Sequence, residues 1–239
     1  MSLREEAYDV LRENLVAVRP EFAAREVVLC PICQREISRD AVIRGGIEHI
    51  LPQNVVKGDS ADLILLGTKN QRCGITILCR DQRVCKSDGK ISKDGCNGIK
   101  GRLYDRLFRG LFDTNTHTKS ELRHSHGVAI LIMAYLGAFQ TFGYEYILRP
   151  ELDPIREQFD FPNDRKTDWL DHACYGLAKE IPQVVSTSHG QPFLFGSIST
   201  LTAQLEVFFR RCHVILPGGH LSLRKATRHL EVLLPEDLR

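Results

Sequence analysis

The sequence predicts an α+β fold, with a zinc-stabilised module between an N-terminal helix and a mixed α/β C-terminal accessory region. Three observations carry this. Six of the eight cysteines (Cys30, Cys33, Cys73, Cys79, Cys85 and Cys96) lie in one middle segment. Apolar residues recur at helical spacing in the first segment but in short strand-like runs around the cysteines. A long apolar helical stretch, Ser120 to about Phe142, then opens the last part. The organisation expected is an N-terminal helix over 1–26, a cysteine-bearing module over 27–118 and an accessory domain over 119–239.

Length and composition bound the class. A chain of 239 residues with 43% hydrophobic residues buries a sizeable core without disulfide staples. The net charge of +2 names no partner by itself. The charged N-terminus, Met1-Ser2-Leu3-Arg4-Glu5-Glu6, has no apolar stretch and is unlike a secretory signal. The longest apolar run, Gly127 to Phe139, is short for a bilayer and reads as a buried helix. A cytoplasmic protein with no membrane contact is therefore expected, and reduced thiols with it.

Along the chain, Leu3, Ala7, Val10, Leu11, Leu15 and Val18 line one face of a helix that Pro20 ends. Val27-Val28-Leu29 reads as a short strand. Ala41 to Leu51 reads as a second strand bent at Gly45-Gly46, and Gly74 to Leu78 as a third. Asn97 to Gly110 is helical, with Leu103 and Leu107 four apart. Leu205 to Phe209 and Val214 to Leu216 read as strand pieces, and Cys174 and Cys212 as buried thiols.

Cys30-x2-Cys33 puts two thiolates on one tight turn, which suits tetrahedral zinc with Zn–S bonds of about 2.3 Å. Cys79, where a strand ends, and Cys96, where a helix begins, are the preferred second pair. Cys85 and Cys73 compete for the place of Cys79. A site closed by four cysteines has no open position, so this zinc would be structural.

A second set carries candidate chemistry. Glu48 and His49 are adjacent, and neighbouring side chains on a strand face opposite ways. They can serve one site only if the strand bends or ends there, which Gly45-Gly46 and Pro52 permit. Downstream, Asn97 stands at a helix start and Lys100 one turn in. The ordered pieces Cys30-x2-Cys33, Glu48-His49-Ile50-Leu51-Pro52, Ile77-Leu78-Cys79 and Cys96-Asn97-Gly98-Ile99-Lys100-Gly101 resemble the HNH nucleases, also called ββα-metal nucleases. The resemblance covers about residues 28 to 106.

It implies a zinc-stabilised ββα-metal core and a metal-dependent endonuclease acting on DNA. Glu48 matches the acidic ligand of a catalytic divalent ion, Mg2+ or Mn2+, and Asn97 its second ligand. His49 matches the general base, and Lys100 a position that often faces the phosphate backbone. Two departures stand out. The family's second C-x2-C is stretched to Cys79-x16-Cys96. Its middle asparagine has no match beside Gly74, and Asn70, four residues earlier, takes its place as the residue that orients the histidine loop through backbone hydrogen bonds.

Charge adds a local argument. From Arg80 to Arg109 there are nine basic residues against four acidic ones, a stripe suited to nucleic acid. His117, His124 and His126 read as linker and helix cap. The C-terminal region is read as an element for substrate choice or contact with a protein partner. Two alternatives stay open: a non-catalytic zinc-binding module for nucleic acid or protein, and an RNA-cleaving nuclease.

Overall fold

The computed structural model describes residues 2–45, 47–57, 69–113, 123–175, 192–197, 204–210 and 212–218. Gly46, His117 and the expected helix start at Ser120 lie outside them, as does the side chain of Cys174. The described chain is mixed helix and strand, as an α+β class requires.

Helix α1 (Leu3–Val18) starts on a reciprocal cap: the Glu5 amide donates to Ser2 Oγ and the Ser2 amide to Glu5 Oε2. Strand β1 (Val27–Leu29) pairs antiparallel with β2 (Glu36–Ser38) across the Cys30–Cys33 turn. The residues next in line form helix α2 (Arg39–Gly45), not the expected strand from Ala41. Ser38 Oγ accepts from the Ala41 amide at the helix start, and Asp40 sits in the first turn. Arg4 of α1 donates to the Ile43 carbonyl, so packing against α1 reinforces the local signal.

Strand β3 (Glu48–His49) is followed by α3 (Gln53–Lys57), α4 (Lys69–Cys73) and β4 (Ile75–Thr76). β3 and β4 pair antiparallel, Glu48 opposite Thr76 and His49 opposite Ile75. β5 (Arg83–Val84) and β6 (Ile91–Ser92) make a hairpin inside the stretched Cys79–Cys96 interval. A helical rod follows: α5 (Gly95–Lys100), a π-helical turn (Gly101–Asp105) and α6 (Arg106–Asp113).

Helix α7 (His124–Ile147) is the centre of the core. It is long and apolar enough to cross a membrane, and 83% of its most apolar 18-residue window is buried within the protein. Arg123 donates its amide to His126 Nδ1, the cap expected of that histidine. The helix kinks at Gly143, which has φ +61°. Asn14 of α1 fills the space a side chain would need there, and its Oδ1 accepts from the Tyr144 amide.

After α8 (Asp153–Gln158), strands β7 (Ala173–Tyr175), β8 (Leu194–Ser197), β9 (Gln204–Phe209) and β10 (Cys212–Pro217) form an antiparallel sheet in the order β7-β10-β9-β8. β9 and β10 match the two expected C-terminal strand pieces, and Cys212 is buried. Alternation in β9 turns Leu205, Val207 and Phe209 inward. Phe209 stacks on Phe108 of α6, and Phe195 meets Phe142 of α7 edge-on. One cluster of buried apolar side chains runs from Tyr8 to Leu216.

Candidate functional site: a four-cysteine cluster beside Glu48 and His49

The Cys30–Cys33 turn hangs from α7. Tyr144 Oη donates to the Leu29 carbonyl at 2.6 Å and accepts from the Leu29 amide at 2.8 Å, and Tyr135 Oη donates to the Pro31 carbonyl at 2.6 Å. The turn closes through Gln34 N to Cys30 O and Cys30 N to Arg35 O, each 2.9 Å. On the other side, Gly95 brings Cys96 against the end of the β4 segment. Its φ is +54°, and a Cβ there would lie 2.5 Å from the Cys79 carbonyl oxygen, so only glycine fits.

The sulfurs of Cys30, Cys33, Cys79 and Cys96 all lie within 4.8 Å of one another, close enough to hold a single metal ion such as zinc. These are the four preferred from spacing. Cys85 is buried elsewhere, its sulfur near Ser87 Oγ and the Asp160 carbonyl, and Cys73 is buried outside the quartet. Burial holds Cys30 well above the ordinary thiol range, and hydrogen bonding with the other three thiols raises Cys96. Bonding from Cys30 pulls Cys33 and Cys79 down. A divalent cation bound among the four sulfurs would let all of them ionise. Arg83 lies just outside, donating to Cys96 Sγ at 2.9 Å and pairing with Asp160.

Glu48 and His49 line one open depression together with Pro52, Gln53, Gly101, Asp105, Arg106 and Arg109. They share it because β3 ends at His49 and the chain bends at Ile50. Backbone bonds from Ile50 N to Gly74 O (3.1 Å) and Leu51 N to Cys73 O (2.9 Å) fix that bend. Asn70 acts on the ring itself: its Oδ1 lies 2.9 Å from His49 Nε2, a side-chain contact where backbone bonds were expected. Gln53 Nε2 lies 2.9 Å from His49 Nδ1. An amide nitrogen only donates and an amide oxygen only accepts. In this arrangement His49 Nε2 donates to Asn70 and Nδ1 accepts from Gln53.

Lys100 does not face outward. Its side chain is fully buried, with Nζ 2.6 Å from Asp105 Oδ1 and 3.8 Å from Glu48 Oε1. Arg80 lies 3.9 Å from the other Glu48 oxygen. Burial raises the Glu48 pKa, an effect that Lys100 opposes and Asp105 reinforces. Asn97 is half-buried beside Cys96, one turn before Gly101, and is not among the residues lining the depression. Asp105 and Gln53 are, and sequence reasoning misses both. Gln53, four residues after His49, has a signal only once the bend is known. Asp105 meets Lys100 across the π-helical turn, whose i→i+5 spacing aligns residues that α-helical spacing would separate.

Of the nine basic residues between positions 80 and 109, Arg80, Arg83, Lys100 and Arg102 are committed to ion pairs within the protein. His124 and His126 do not line the depression. Comparison with protein-family models, curated proteins and solved structures finds no match to this chain.

Proposed function

We propose that the protein is an HNH-type, metal-dependent endonuclease that hydrolyses DNA phosphodiester bonds. The observation carrying this reading is the convergence of Glu48 and His49 on one depression, between an antiparallel strand pair and a helix that begins at the four-cysteine cluster. That succession of strand, strand and helix is what a ββα-metal core requires, with zinc on the cysteines as its clamp.

Within this reading His49 takes the proton of the attacking water at Nδ1, while Asn70 holds the ring through Nε2. A neutral imidazole suits that role at cellular pH. Gln53 must turn its amide for Nδ1 to be used, because a nitrogen donor now occupies the lone pair. The donors nearby are hard oxygens, which fit Mg2+ or Mn2+ rather than zinc. Glu48 would be the acidic ligand, with Asn97 at the helix start or Asp105 in the depression as the second oxygen donor. Such an ion would supply Lewis-acid polarisation of the scissile phosphate.

The test is nicking of supercoiled plasmid by zinc-loaded protein, with Mg2+ or Mn2+ added or omitted. The expected outcome is cleavage that requires the added ion. Cleavage of a matched RNA alone moves the substrate to RNA, and no cleavage of either sinks the reading. A second reading, a non-catalytic zinc module that binds nucleic acid, is favoured by one observation: both ring nitrogens of His49 are already hydrogen-bonded.

A further inference from the structure

The insert between Cys79 and Cys96 contributes more than chain length to the cysteine cluster. Val84 and Ile91 stand directly opposite each other in the β5–β6 hairpin, so both side chains leave from the same face. That face is open to solvent, with Val84 54% and Ile91 59% exposed. The opposite face is held against the protein. Ser92 is buried with its hydroxyl against Gly98, and Arg83 reaches Cys96 and Asp160. The turn closes through Cys85 N to Lys90 O (2.9 Å) and Gly89 N to Cys85 O (3.0 Å), and Asp88 pairs with Arg102.

The result is a fixed projection with two aliphatic side chains at its open face, exposed Lys86 and Lys90 on its turn, and exposed Lys93 at its root beside the acids Asp81 and Asp94. Asp88, the acid in the turn itself, is neutralised by Arg102. The tip, where Val84 and Ile91 stand beside Lys86 and Lys90, is apolar and cationic, which matches a polyanion with apolar surfaces between its rungs. Duplex DNA has that character: lysines meet the phosphates, and aliphatic wedges enter between base steps. The projection also stands next to the depression. Arg80, at the root of the insert, lies 3.9 Å from Glu48, and Arg102 directly follows Gly101, which lines the depression.

We propose that the hairpin is a DNA wedge, in which Val84 and Ile91 enter between neighbouring base pairs while Lys86, Lys90 and Lys93 contact the flanking phosphates. This rests on the nucleic-acid substrate proposed above. The wedge unstacks a step beside the cleavage site, so the enzyme favours duplexes that kink easily.

The test uses the full-length, zinc-loaded protein without magnesium and a duplex carrying 2-aminopurine. Wild type is expected to bind and to raise the fluorescence of the unstacked base. Val84→Ser/Ile91→Ser, at exposed positions outside the core, is expected to bind roughly tenfold more weakly and to lose the rise. Its zinc content and salt dependence stay unchanged. Lys86→Ala/Lys90→Ala/Lys93→Ala is expected to lower the slope of log K against log salt by about 2 to 3. Equal affinity and equal fluorescence in the serine variant overturn the wedge, as does a wild type that binds without unstacking. If that variant still cleaves with added metal while binding as wild type does, the wedge fails and the nuclease reading stands. Hairpin-dependent unstacking with no cleavage under any divalent ion keeps the wedge and removes the nuclease reading.

Discussion

Glu48 lies where burial works against its charge, and the buried Lys100 ammonium only partly offsets that effect. Its folded pKa is raised, so its contribution to stability is complete below the unfolded carboxylate value. That contribution is lost as pH rises through the folded value. At neutral pH the ionised Glu48 therefore costs the metal-free fold stability. Glu48→Gln is expected to melt at a higher temperature than wild type at pH 7, with the gap closing as pH falls into the carboxylate range. A melting series on metal-free protein checks this, and a lower melting temperature for the variant at pH 7 contradicts it. At this scale the sequence was readable where chemistry is local: Glu48 and His49 announce themselves as neighbours before a proline. It was silent where geometry decides. Asp105 reaches Lys100 only because the helix widens to a π turn, and Gln53 reaches His49 only because the chain bends at Ile50.

Among elements, the cysteine cluster depends on parts distant in sequence. Cys30 and Cys33 sit on a turn whose backbone is held by Tyr135 and Tyr144 of α7, about a hundred residues downstream. Tyr144→Phe removes two hydrogen bonds to Leu29 and leaves its buried amide and carbonyl without that partner, a loss of about 2 kcal/mol. The melting temperature should fall by roughly 4–8 °C, and zinc should pass more readily to a competing chelator. Unchanged melting and zinc retention would show that the turn stands without its tyrosine. The cysteine frame was legible because each of its cysteines marks an element boundary: a tight turn, a strand end and a helix start. The segment from Ala41 was misread because its apolar spacing suits a strand equally well. The Ser38 cap and the contact with α1, which decide for helix, come from outside the run.

At the scale of the whole molecule, α7 joins α1, the cysteine turn and the C-terminal sheet into one apolar cluster. Its apolar run was visible in sequence, and so were two strands of the sheet. The pairing order of that sheet was not, since register depends on partners far along the chain. The basic stripe was visible as composition, but among the described residues folding spends at least four of its nine charges on internal ion pairs. That leaves the hairpin lysines as a more selective signal than net charge. The same architecture separates scaffold from chemistry, because the cysteines clamp the helix start while His49 stands in the depression beyond it. The most direct test of the proposed nuclease site is the plasmid-cleavage rate of His49→Ala at saturating Mg2+, with zinc stoichiometry measured on the same sample. A general base at His49 predicts a fall of about 10²–10⁴-fold with zinc content unchanged. A variant that keeps its zinc and cleaves at the wild-type rate would contradict it.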